Sequence, residues 1–144
     1  MQYASLNEHN FLIKLEPGDD IAGFIGRFCL DHDITNATVQ GIGSVDSPTL
    51  AHYSKKSKQF QEVSFEGIYE IVSLLGNVSL QGDTRLVHVH VTITDPDMHA
   101  FGGHLVHGTC SATAELVLTS YPTKFTKKPN DKIGLSVWDL PSQP

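Results

Sequence analysis

The order of apolar and polar side chains divides the chain into one helical stretch and a series of strands. Phe11-Leu12-Ile13-Lys14-Leu15 is a short apolar run closed by Glu16-Pro17-Gly18, the pattern of a strand that enters a turn. Asp19 or Asp20 then stands where a carboxylate can accept hydrogen bonds from the free amides of a helix start. Ile21, Phe24, Ile25, Phe28 and Cys29 follow at helical spacing, with Arg27 late in the run. A helix is therefore predicted over about 19–31.

Beyond this helix the pattern is strand and turn. Ala37 to Gln40, Thr49 to Tyr53, Phe60 to Phe65, Tyr69 to Leu75, Arg85 to Thr94 and Ala112 to Tyr121 are the predicted strands. Gly41-Ile42-Gly43-Ser44, Glu66-Gly67, Gly76-Asn77, Gln81-Gly82-Asp83 and Asp95-Pro96-Asp97 separate them as turn or breaker signals. Many strands and one helix predict an α/β (α+β) fold, a mainly antiparallel sheet with one principal flanking helix. A doubly wound sheet would need several more helices. With no repeat, low-complexity tract or linker, the chain reads as a single domain over 1–144. Trp138, in Leu135-Ser136-Val137-Trp138, is expected to anchor a C-terminal strand in the core or to sit at a subunit interface.

Composition narrows the class. The chain is 40% hydrophobic and 18% charged, which fits a globular protein and not a disordered one. No apolar run reaches the roughly 18 residues of a membrane helix, and the start has neither the basic region nor the apolar region of a signal peptide. Cys29 and Cys110 are too few for a disulfide framework and lack metal-type spacing. A cytoplasmic protein with two buried thiols is expected. The net charge of −6 argues against unaided DNA binding, which draws its affinity from cations on phosphates. The lysines are nonetheless clustered, Lys55, Lys56 and Lys58 in one group and Lys124, Lys127, Lys128 and Lys132 in another. As solvated loops these groups have no role. If they met in space or repeated by symmetry, they would form a phosphate-binding strip.

The segment Arg85-Leu86-Val87-His88-Val89-His90-Val91-Thr92-Ile93-Thr94 carries the clearest chemistry. In a strand, Val87, Val89, Val91 and Ile93 share one apolar face, which leaves His88, His90, Thr92 and Thr94 on the other. Two histidines at this spacing have Cβ atoms roughly 6–7 Å apart, so their rings can converge on one ion at roughly 2.0–2.1 Å. Only neutral imidazole binds a metal, so such a site is expected to weaken below about pH 6.5. Phe101-Gly102-Gly103-His104-Leu105 offers a third ligand. Its glycines allow a close backbone approach or a positive φ that aims His104 at a neighbouring strand. His107 and His99 are reserves, although an extended 104–107 would point His107 away from the His104 face. The alternative is that His88 and His90 are hydrogen-bonded polar residues on a half-buried strand, with no metal.

Glu70 and Glu115 sit inside apolar strands, where a carboxylate could orient a ligand imidazole or act as a general base. Alternation favours plain exposure, since Glu115 points away from the face of Leu116 and Leu118. His52 could line the same pocket or be structural. Gly41-Ile42-Gly43-Ser44 lacks the third glycine and the following helix of a dinucleotide fingerprint, and Ser44 stands in no nucleophile-elbow motif.

Taken in order, Gly41-Ile42-Gly43-Ser44, Glu66-Gly67-Ile68-Tyr69-Glu70-Ile71, Leu75-Gly76-Asn77, His88-Val89-His90, Gly102-Gly103-His104-Leu105, Gly108 and Thr113-Ala114-Glu115 resemble the plants-and-prokaryotes-conserved (PPC) domain. The resemblance runs from about Phe11 to about Tyr121. It implies an antiparallel sheet with a flanking helix, a homotrimer, and a stand-alone prokaryotic module of the kind usually described as DNA-binding, with a poorly defined role. It also implies that His88, His90 and His104 hold zinc or another divalent transition metal, or a small ligand. The chain departs from the pattern in two ways: it has no AT-hook segment, the best-understood route to DNA, and Ile68 replaces the arginine that plant relatives use for contacts with partner proteins. A metal-dependent enzyme acting on a small molecule is the alternative. Gly82 to His90 fits the first cupin motif, Gly-x5-His-x-His, with Asp95 near its acidic position. The second cupin motif is missing.

Overall fold

The computed structural model describes residues 2–141, and it is organised by strand alternation. The elements in order are β1 (Gln2–Ser5), β2 (Asn10–Leu15), α1 (Ile21–Asp31), β3 (Ala37–Ser54), β4 (Gln59–Ser64), β5 (Ile68–Gln81), β6 (Thr84–Thr94), β7 (Ala100–Ser120), β8 (Lys127–Asn130) and β9 (Leu135–Trp138). β1 to β7 form one antiparallel sheet in the order β1-β2-β7-β6-β5-β3-β4, and β3 also pairs with β7. The circuit β3–β5–β6–β7 therefore closes on itself. The predicted class, a mainly antiparallel sheet with one helix, is the one observed. The terminal positions 1 and 142–144 of the predicted domain lie outside the described residues.

Helix α1 begins where the sequence placed it. The Asp20 carboxylate accepts a hydrogen bond from the Gly23 amide at 3.2 Å, which satisfies one of the free donors of the first turn. Ile21, Ile25, Phe28 and Cys29 are buried and meet Phe11, Ile13, Leu15, Val89 and Leu118 in one core. Neither cysteine is oxidised, and burial pushes the Cys29 thiol up to about 12, against a smaller lowering by Arg85.

The strands are longer than the sequence pattern suggested. Ala37–Gln40 and Thr49–Tyr53 belong to a single strand, and β5 and β7 run straight through Gly76 and the Gly102-Gly103 pair. These glycines are not turns. A Cβ on Gly41 would lie 2.5 Å from the Glu115 carbonyl oxygen, and one on Gly76 would lie 2.6 Å from that of His88. The side chain is absent because neighbouring backbone comes too close, and Gly43, with φ near 153°, adds a bulge where β3 crosses β7.

Two parts of the fold go beyond the predicted elements, although the C-terminal strand expected at Leu135–Trp138 is present as β9. β1 is a four-residue exposed edge strand against β2. The β8–β9 hairpin docks on the sheet through buried polar groups. Asn36, fully buried, donates to the Phe125 carbonyl at 2.8 Å and accepts from the Phe125 amide at 3.1 Å. Trp138 is 43% exposed, so of its two expected places the core is excluded. Its indole instead donates to Ser79 Oγ at 3.0 Å, and its ring packs on Phe125.

The clash argument makes a direct test. Gly43→Ala would place a methyl 2.4 Å from the Thr113 carbonyl oxygen, whereas Gly82 (φ 59°) has open space around it. Urea denaturation should show Gly43→Ala destabilised by about 1–3 kcal/mol and by clearly more than Gly82→Ala.

Candidate metal centre

β6 alternates as its sequence requires. Val89, Val91 and Ile93 are buried in the core, so His88 and His90 stand on the opposite face. β7 runs antiparallel beside β6 with His104 directly across from His90. The diglycine that precedes His104 is extended, and it permits close approach: a Cβ on Gly103 would come within 2.9 Å of the Ala51 carbonyl oxygen. Register alone therefore brings the third histidine to the first two.

The three rings converge. Their centroids are 5.1 Å apart for His88 and His90, 5.3 Å for His88 and His104, and 5.5 Å for His90 and His104. The Nε2 atoms of His88 and His90 are 3.2 Å apart, and one nitrogen from each of the three rings lies within 4.8 Å of the others. Tetrahedral zinc with bonds of about 2.0–2.1 Å separates its ligand nitrogens by roughly 3.3–3.4 Å. The cluster fits such an ion with small ring adjustments. His104 Nδ1 is buried and has no hydrogen-bond partner among the described residues.

The electrostatics favour neutral rings. Burial pulls the His88 pKa down to about 4, with further lowering from the Lys127 ammonium and then from His104 and His90. The His104 pKa is also lowered, by burial first and then by His90 and Lys127. These two rings thus keep their lone pairs below the pH at which an ordinary histidine protonates. They lie in a cavity of about 970 Å³, walled by Tyr53 and Phe60 on one side and Leu135 on the other. Phe60 also packs on His104, with ring centroids 5.4 Å apart.

Of the other candidates, His52 lines this cavity. Glu70, Glu115 and His107 are exposed and do not, and Glu115 borders a separate groove beside Leu12 and Ile42. His99 pairs with Asp95 at 3.1 Å, away from the cluster. Lys55, Lys56 and Lys58 occupy the β3–β4 turn, where Lys58 donates to the Asp131 carbonyl at 2.6 Å. Lys124 is exposed, and Lys128 is paired with Asp139. Lys58 thus brings the first lysine group against the segment that follows Lys127 and Lys128.

Lys127 is the residue that sequence reasoning misplaced. Instead of reaching outward to phosphates it is 8% exposed and lines the histidine cavity. A four-residue strand after a loop carries too little periodicity to reveal which side of it faces inward.

A single-helix, circuit-closing antiparallel domain with a cluster of three histidines on its outer face is the class these features define. The family model of the Plants and Prokaryotes Conserved (PCC) domain matches residues 3–122, and the chain belongs to that family. The plant- and prokaryote-conserved (PPC) protein of Pyrococcus horikoshii is 31% identical, with a TM-score of 0.87 over 93% of both chains. A Bacteroides thetaiotaomicron protein described as a "putative dna binding protein" is 25% identical, with a TM-score of 0.92 over 96% of both. A "metal-containing protein" of Archaeoglobus fulgidus is 28% identical, with a TM-score of 0.82 over 90% of this chain and 91% of its own. A curated relative, the bifunctional protein GlmU of Synechococcus, is 28% identical over 125 residues. That match takes in 85% of this chain, which spans about 19% of the GlmU length.

The lowered pKa of His88 has a consequence for stability. Its folded value, about 4, lies below the ordinary 6.5, so the unfolded chain takes up the proton first as pH falls. In metal-free protein, stability should be undiminished by this group above about pH 6.5, decline between 6.5 and 4, and level off below. Thermal melts across that range should show the slope, and His88→Gln should flatten it.

Proposed function

We propose that the chain is a binding module in which His88, His90 and His104 hold one divalent transition metal, with zinc the first candidate, and that it works as a homotrimer in a DNA-associated regulatory role. The carrying observation is the convergence of three imidazoles from two paired strands to within 4.8 Å. Imidazole donors suit zinc, copper, iron and nickel. A bound ion would give the buried His104 Nδ1 the partner that it lacks, and the Archaeoglobus relative is described as containing metal. Three protein ligands leave a coordination position for a further ligand. No Asp or Glu lines the cavity among the described residues, so any acid–base role there would fall to a histidine or Lys127.

Relatives described as DNA-binding support the nucleic-acid association. The net charge of −6 means that a single chain offers few phosphate contacts, so a strip of exposed lysines repeated by trimer symmetry, or a partner protein, would carry it. The trimer is supported by an apolar groove on the outer sheet, where Ile42 and Leu75 are 58% and 59% exposed next to Leu12. No helix among the described residues is long and apolar enough to cross a membrane. Two reduced, buried thiols support a cytoplasmic setting.

Protein purified without an affinity tag should carry about one metal ion per chain by elemental analysis. His88→Ala and His104→Ala should each lower the affinity by at least roughly tenfold. Equal metal content in the three proteins would contradict the assignment. Light scattering on a sizing column should give three times the chain mass of 15.8 kDa, and a monomer would contradict the oligomer.

A further inference from the structure

We infer that Lys127 is the anchor for a carboxylate-bearing, otherwise apolar small molecule that enters the histidine cavity. The first observation is the placement of its ammonium. Lys127 is more than nine-tenths buried, it lines the cavity that holds all three histidines, and its side chain makes no hydrogen bond or ion pair with another described residue. Its nitrogen is not sealed in the protein but opens to the cavity, and burial of the stem lowers its pKa, a cost that an anion bound beside it would offset. Lys128, its neighbour in sequence, has found a carboxylate in Asp139, whereas Lys127 lines the cavity.

The second observation is the sign of the charge. No Asp or Glu lines the cavity among the described residues, so nothing there neutralises the ammonium. The inference deepens the three-histidine reading and rests on it for the second positive charge, since a divalent ion on neutral imidazoles would add to the field of Lys127. The remaining walls decide the body of the ligand. Tyr53, Phe60, Leu75, Leu86 and Leu135 give apolar surface beside the polar side chains of His52, Ser73, Gln81, Thr92 and Ser136, and the Tyr53 hydroxyl is already donated to the Ile133 carbonyl. One ammonium matches the single charge of a monoanionic carboxylate, and Ser73, Gln81, Thr92 and Ser136 offer further neutral donors at the wall.

The third observation is that the fold holds Lys127 in place. The segment before it is fixed by the paired Asn36–Phe125 hydrogen bonds, and Lys127 itself pairs with Trp138, whose indole is held by Ser79. The same hairpin is tied down at its turn by Tyr53 and Lys58. The ammonium is thus carried on a braced element and not on a free loop end, which is the arrangement a binding group needs.

The test is calorimetry in two stages. Zinc is first titrated into metal-free wild type and Lys127→Met, and benzoate, benzamide and inorganic phosphate are then titrated into the resulting proteins. The expected result is about one zinc per chain in both proteins, bound no more weakly by Lys127→Met, which has lost a neighbouring positive charge, and this also shows that the variant retains the folded histidine site. Benzoate should bind wild type and weaken by about tenfold or more in Lys127→Met. Benzamide, the neutral analogue, should bind wild type at least about tenfold more weakly than benzoate, a comparison that needs no variant. Equal benzoate affinity in the two proteins, no benzoate binding at all, or tighter binding of phosphate than of benzoate would overturn the inference. If wild type takes up no zinc yet binds benzoate in a Lys127-dependent way, the metal reading fails and the lysine assignment stands.

Discussion

The site depends on a single registration of two strands. β6 must bury Val89, Val91 and Ile93, and a strand that commits one face to the core has no freedom over the other. His88 and His90 are therefore held on the outer face by the same apolar burial that stabilises the sheet. The pairing of His90 with His104 across β6 and β7 then completes the cluster. A slip of one residue in β7 would turn His104 away and expose Leu105 from the core. The cost of misplacing the histidine is thus the cost of unburying a leucine, on the order of 1.5–3 kcal/mol.

Charge gives the cavity its character. Burial and the Lys127 ammonium both keep His88 and His104 in the neutral form that a metal requires. The same ammonium shares the cavity with apolar and neutral polar side chains, none of them an acid among the described residues. The hairpin that delivers it is attached through Asn36 and Ser79, buried polar groups whose hydrogen bonds are satisfied by the backbone at Phe125 and the indole of Trp138. These contacts join a segment distant in sequence to the face that carries the histidines, and so couple the stability of the hairpin to the shape of the site.

Much of this was legible from the chain alone, for identifiable reasons. The helix start at Asp20, the alternation of β6 and the pairing of His88-x-His90 with His104 are local patterns, and local patterns survive folding. What was misread depends on contacts between distant segments. Gly41, Gly43 and Gly76 look like turns in one dimension, because a missing side chain signals flexibility there. In three dimensions they mark crowding by Glu115, Thr113 and His88. Lys127 was misplaced for the same reason. A four-residue strand gives no period from which to judge its inner face, and only the docking of the hairpin on Asn36 and Ser79 decides it.

Anomalous diffraction at the zinc edge, from crystals of protein loaded with that metal, addresses the central claim most directly. The account predicts one strong peak per chain, about 2.0–2.1 Å from a single ring nitrogen of each of His88, His90 and His104. A map without that peak, or with the ion held elsewhere and the ring of His104 turned away, would contradict it.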